Sequence, residues 1–167
     1  MNEPLYSCAA LGFRCFKVSE NLLYPLNGGG HRSCQHAWQP GANLAECGLG
    51  LAHQAPGQDC GCGFHAYHAT VLPSRVVLSE PEWVLAAVAG AGRLRVHKHG
   101  WRSQKVQILG LWGDQEIGSL AAAYQVPALA TLRELREFAS DLAQPIAQEL
   151  RPRRSDDAAE LAGWFKL

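Results

Sequence analysis

Three thiols and an imidazole lie within sixteen residues, Cys47, His53, Cys60 and Cys62, in the spacing C-x5-H-x6-C-x-C. Thiolate sulfur and imidazole nitrogen are the donors of structural zinc sites, commonly three Cys and one His arranged as a tetrahedron. The chain between these residues is built on Gly48, Gly50, Pro56, Gly57, Gly61 and Gly63, which form turns rather than regular elements. Cys60-Gly61-Cys62 is tighter than the usual C-x2-C, and the glycines at 61 and 63 allow the sharp bend that this demands. The pattern predicts one Zn²⁺ held in a closed site by Cys47, His53, Cys60 and Cys62. An iron–sulfur cluster of mixed Cys/His ligation is the second metal reading. Cys34, His31 and His36 are further candidate ligands, and Cys60, Cys62, His65 and His68 make a competing local set. His53 is preferred because its loop can fold back from Cys47 toward Cys60 and Cys62. His65 and His68 leave the site along a strand or turn, where an imidazole usually meets a backbone carbonyl.

A second group of residues offers charge rather than ligation. Arg93, Arg95, His97, Lys98, Trp101 and Arg102, with His99 and Lys105, form the most basic stretch of the chain and contain one aromatic ring. Cations beside an aromatic suit a nucleic-acid strand, with phosphates on the charges and a base on the ring. Together with the zinc, this predicts a zinc-stabilised binding module that contacts nucleic acid or a protein. Two alternatives stand beside it. Residues 120–135, Leu-Ala-Ala-Ala-Tyr-Gln-Val-Pro and onward, resemble a helix-turn-helix, with Ala121 at the crossing and Val126 in the turn. His65 and His68, with Tyr67 and with Arg14 or Glu46, would supply acid–base groups to an enzyme of nucleotide or ADP-ribosyl-transfer type; a cysteine nucleophile, Cys15 or Cys34, has no nameable partner. No Ser-centred elbow, P-loop or GxGxxG is present, so the common hydrolase, NTPase and dehydrogenase readings find no support.

The elements that must position these residues follow from periodicity. Gly12 to Val18 alternates Phe, Cys/Phe and Val with Arg and Lys, the pattern of a strand with one buried face. Glu82 to Ala89 and Arg93 to Lys98 read as consecutive strands joined at Gly90-Ala91-Gly92. Gly100-Trp101-Arg102 reads as a turn before a third strand around Lys105 to Leu109. Thr131-Leu132-Arg133-Glu134 fits a capping box, with Glu134 reaching back to the Thr131 amide. Leu132, Leu135, Phe138, Leu142, Ile146 and Leu150 then mark the apolar stripe of a helix packed on the sheet, with Pro145 inside it. The expected fold is α+β: a Gly/Cys-rich, zinc-bearing N-terminal half merges into an antiparallel meander or small barrel covered by C-terminal helices. Residues 1–150 are expected to form a single domain and residues 151–167 a charged linker and short docking tail.

Composition bounds the rest. With 167 residues and 47% hydrophobic content the chain can bury a core and is not of the disordered class. Lys+Arg and Asp+Glu both number 15, which excludes a strongly basic nucleic-acid coat and an acidic tail, though not a local patch. No secretory signal or membrane-spanning run is visible, so the expected location is the cytoplasm, where the six cysteines serve as thiols or metal ligands rather than disulfides.

Gly12-Phe13-Arg14, Trp38-x-Pro40-Gly41, Ala45-x-Cys47, His53-x-Ala55-Pro56 and Cys60-x-Cys62-Gly63-Phe64-His65-Ala66-Tyr67 together resemble a group of small uncharacterised bacterial proteins. These carry a C…HxAP…CxCG[F/I][H/Y]A core followed by a VxxHxxG[W/Y]R segment, matched here by His97, Gly100, Trp101 and Arg102. The resemblance spans about residues 12–130. It implies the same four ligands, and it leaves Cys8, Cys15 and Cys34 outside the pattern.

Overall fold

The computed structural model describes residues 10–26, 36–68, 83–113 and 117–149. The apolar alternation at the start produces strand β1 (Ala10–Ser19), and a two-residue loop returns the chain as β2 (Leu22–Pro25). That loop is Glu20-Asn21, both at positive φ (52° and 59°), the backbone of the mirror-image turn that suits the twist of a hairpin. After Trp38, which bridges to Leu23, come the short β3 (Ala42–Leu44) and then β4 (Phe64–His68). Two long strands follow, β5 (Trp83–His97) and β6 (Gly100–Gly113), then helix α1 (Ile117–Tyr124), the two-residue β7 (Ala128–Leu129) and helix α2 (Leu132–Glu149).

The architecture is mixed α+β and mostly antiparallel; β7 on β6 is the parallel pairing among the described residues. β1 pairs β5 along Ala10–Lys17, β5 pairs β6, β6 pairs β4, and β4 returns to β1 at Gly12 and Phe13. These four pairings form a circuit. Trp101 fills its interior: the ring is 2% exposed, and Nε1 donates to the Leu11 carbonyl at 3.1 Å. Gly90 lies against that ring, and a Cβ there would overlap it.

β5 is buried on both faces, which explains its unbroken apolar run. Val84, Ala86 and Val88 join Phe16, Trp38, Trp101, Val106 and the α1 residues Leu120, Ala121 and Tyr124 in one core. Leu85 and Ala87 join Phe13, Cys15 and the α2 residues Leu135 and Ala139 in a second core on the other face. Tyr124 ties α1 to the first of these: its hydroxyl donates to the Trp38 carbonyl and accepts the Leu23 amide at 3.0 Å.

Several local expectations need correction. Gly90-Ala91-Gly92 is not a turn between two strands. β5 runs through it, with a register shift between Ala91 and Leu94 at which Gly92 adopts φ +74°, so the glycine there makes a bulge. The reversal lies at Lys98-His99, and Gly100-Trp101-Arg102 is already strand. Thr131 does cap α2, its Oγ1 accepting the Glu134 amide at 3.1 Å, but the Glu134 carboxylate takes the Ala130 amide at 2.9 Å rather than that of Thr131. The helix-turn-helix reading of 120–135 fails on geometry. α1 closes in a Schellman arrangement, Gln125 N–H to Ala122 and Val126 N–H to Ala121, both 3.0 Å. Pro127 then accepts the Leu111 amide, and Ala128-Leu129 pair with Leu111-Trp112. The segment needed to open a recognition helix is thus a strand on the sheet. Residues 151–167 and Leu150 lie outside the described residues, as do Cys8, His31 and Cys34.

Candidate metal centre

Cys47 follows β3, and Cys60 and Cys62 immediately precede β4. Both strands pair with β6: β3 at Lys105–Gln107, continued by the Ala45 amide on the Gln104 carbonyl, and β4 at Gly100–Ser103. Two adjacent strands therefore deliver the two ends of the ligand-bearing loop to one place. Between them the chain turns at Gly50 (φ +65°), whose amide bonds the Cys47 carbonyl at 3.0 Å. It turns again at Gly63 (φ +108°), where a Cβ would press on Pro56 and on the Ser103 carbonyl.

The four expected ligands come together. One donor atom from each of Cys47, His53, Cys60 and Cys62 lies within 4.8 Å of all the others. Cys47 Sγ and Cys60 Sγ are 3.7 Å apart, and His53 Nε2 is 3.2 Å from Cys62 Sγ. A disulfide sulfur pair sits at about 2.05 Å, so the cysteines here are free thiols. Cys62 is buried and accepts the Gly57 amide at 3.2 Å, and burial moves its thiol pKa upward. At Cys47 burial also pushes the pKa upward, but hydrogen bonds from the Leu49 and Leu51 backbone and from the Cys60 and Cys62 thiols together outweigh it, with net lowering. Backbone amides directed at sulfur favour thiolate over thiol, the protonation state that a metal needs.

The competing histidines are committed elsewhere. His65 Nε2 meets the Gly61 carbonyl at 2.9 Å, and His68 Nε2 meets the His97 carbonyl at 2.7 Å. Burial lowers the His65 pKa, the bond to the Gly61 carbonyl opposes this, and the nearby Arg14 and Arg102 guanidinium groups lower it further, with net lowering. His36 is exposed at the far side of a cavity of about 470 Å³ that opens beside the cluster between Arg14, Trp38, Glu46 and Cys47. Cys15 is buried, and desolvation raises its pKa to about 11 despite the neighbouring Arg14, which removes it as a nucleophile at neutral pH.

The basic stretch does not form one solvated surface. Trp101 is interior, so its ring cannot stack on a base. Arg102 is 8% exposed and donates to the carbonyls of Cys60 and Cys62, while Arg95 Nε donates to Pro56 O at 3.3 Å. His97 accepts from Arg102 Nε at 3.0 Å; burial lowers its pKa first, with Arg102 and Arg95 adding to the effect. Arg95, His97 and Arg102 thus serve the loop that carries the cysteines, and Arg93 and Lys98 remain exposed. The basic run was visible in the sequence, but its bracing of the loop was not. The alternation of Arg95 and His97, which places both on one strand face, was the available signal.

No protein-family model, curated protein or solved structure matches the chain. Among the described residues no helix is long and apolar enough to cross a membrane.

Proposed function

We propose that Cys47, His53, Cys60 and Cys62 hold one Zn²⁺ in a closed tetrahedron, and that the chain is a zinc-stabilised binding module. One observation carries the reading. Two sulfurs bonded to a tetrahedral zinc at about 2.3 Å must lie about 3.75 Å apart, and a sulfur–nitrogen edge is about 3.5 Å. The 3.7 Å between Cys47 and Cys60 matches the first edge, the 3.2 Å between His53 and Cys62 is about 0.3 Å inside the second, and every other pair of donors lies within 4.8 Å. With four protein ligands no position is left for water, so the ion would hold the loop and perform no bond-breaking chemistry. The circuit β1–β5–β6–β4 is read as the expected small barrel, with the Gly/Cys-rich loop as its metal-bearing flank.

A protein partner is favoured over nucleic acid. Leu44, Leu49 and Leu51 are each more than half exposed around the metal loop, whereas the ring and the guanidinium that would receive a base and a phosphate are buried. The resemblance to the small bacterial CxCG proteins supports the ligand choice, and a cytoplasmic location fits reduced cysteines.

Elemental analysis of the purified chain tests the reading. It should return one zinc per chain, Cys60→Ser and Cys62→Ser should lose it, and Cys15→Ser should retain it. A folded chain that holds no metal after equilibration with zinc overturns the proposal. A short oligonucleotide should produce no salt-dependent binding signal; such a signal would restore the nucleic-acid reading.

A further inference from the structure

We infer that Arg102 is the positioning residue and counter-ion of this centre, shaping the Cys60-Gly61-Cys62 segment so that two thiols one residue apart can face a single metal. The inference rests on the metal reading above. Arg102 stands on β6, opposite His65 of β4. Its Nη1 donates to the carbonyls of Cys60 and Cys62, the latter at 3.2 Å, and the Gly61 carbonyl between them is held by His65 Nε2 at 2.9 Å. Three consecutive carbonyls are thereby turned toward the sheet. The thiols on either side are left to converge with Cys47 and His53, as they do. An ordinary C-x2-C has a longer turn in which to achieve this. C-x-C does not, and a single guanidinium nitrogen, Nη1, bridges the two carbonyls from outside the loop while Nε of the same fork is held by His97.

Charge points the same way. Three thiolates, a neutral imidazole and Zn²⁺ sum to −1. Arg102 is a buried cation, and among the described residues no carboxylate stands within ion-pair distance of it. A buried guanidinium without an anion is costly, and the anionic metal centre, whose Cys60 and Cys62 carbonyls Arg102 holds, supplies that anion. Nε is occupied by His97 at 3.0 Å, which fixes the plane of the fork. Lysine would keep the charge and lose the fork.

The test uses the full chain loaded with zinc and, in parallel, with Co²⁺, comparing wild type with Arg102→Met, Arg102→Lys and the exposed control Arg93→Met. Arg102→Met should weaken zinc roughly 10–100-fold in competition with a chromophoric chelator, the range seen when outer-shell partners of a metal ligand are removed. Its Co²⁺ spectrum should lose tetrahedral ligand-field intensity, and metal should raise its thermal midpoint less than it does for wild type. Arg102→Lys should fall between, and Arg93→Met should match wild type. Wild-type affinity and spectrum in Arg102→Met would overturn the inference while leaving the metal reading intact. A wild-type chain that takes up neither ion would overturn both. Should Arg102→Met fail to fold, Arg102→Lys decides: wild-type affinity in that variant refutes the role of the fork.

Discussion

Gly57 lies where backbone and ligand meet, and replacing it with alanine should damage the metal centre selectively. A Cβ on Gly57 would lie 2.5 Å from His53 Nε2, 2.7 Å from Cδ2 and 3.0 Å from Cε1. Ordinary carbon contacts begin near 3.5 Å, so the ring must retreat by about 1 Å. His53 Nε2 now stands 3.2 Å from Cys62 Sγ, an approach suited to one shared ion. A zinc–nitrogen bond of about 2.0 Å does not survive a displacement of half its length. The Gly57 amide, which donates to Cys62 Sγ at 3.2 Å, would be carried along. Affinity should fall by at least the roughly 10–100-fold typical of disturbed second partners, or about 1.4–2.7 kcal/mol. Gly57 does not have a positive φ, so alanine introduces no backbone strain there and the metal-free chain should keep its thermal midpoint. Zinc titration against a chromophoric chelator measures the loss. Gly118→Ala in α1 is the control, since its Cβ meets nothing within 4 Å; it should leave affinity alone and add about 0.5–1 kcal/mol of stability. Wild-type zinc affinity in Gly57→Ala would refute the placement of His53 as a ligand.

Two further outcomes concern stability. Gln125 closes α1 at φ +56°, a left-handed conformation that costs a side-chain-bearing residue about 1 kcal/mol, so Gln125→Gly should raise the denaturant midpoint by an amount of that order; an unchanged or lowered midpoint contradicts it. The Cys15 thiol is raised from 9.0 to about 11 in the folded chain, so the unfolded chain releases that proton first as pH rises. Its stabilising contribution is complete below about pH 9 and is lost between about pH 9 and 11, at most about 3 kcal/mol. Unfolding titrations at pH 8 and 10.5 should show a steeper alkaline decline in wild type than in Cys15→Ala, and parallel declines would sink the assignment.

The convergence of Cys47, His53, Cys60 and Cys62 was legible because its chemistry is local. Four donors and a set of turn residues define the cluster without knowledge of what lies beneath it. The α2 helix was legible for the same reason, with Thr131 and the Leu135 stripe both within one element. What could not be read were partnerships across long separations. Arg102 and Cys60 are 42 residues apart, and a basic residue on an alternating strand looks solvated until its partner carbonyls are known. Trp101 beside a glycine looked like a turn, although Gly100 is small because the Ala66 backbone crosses it. Glu20-Asn21 hid the first hairpin because glutamate is a poor sign of positive φ. Gly90-Ala91-Gly92 reads as a chain reversal, because a bulge and a reversal call for the same residue at Gly92.

The circuit of pairings also bears on how the chain behaves at high concentration. Long strands with an open side invite a second molecule to add itself, the first step of fibrillar association. Here the long strand β5 is paired with β1 on one side and β6 on the other, and among the described residues the ends of the strand order fall on β2 and β3, of four and three residues. Beyond β2, Leu23 is already engaged by Trp38. Segments this short offer few backbone groups to a neighbour. The apolar Val84–Ala91 run, which in isolation has the composition of an aggregation-prone stretch, stays enclosed as long as β1 and β6 remain in place. Loss of either flanking strand, rather than loss of the metal loop, is the event that would expose it.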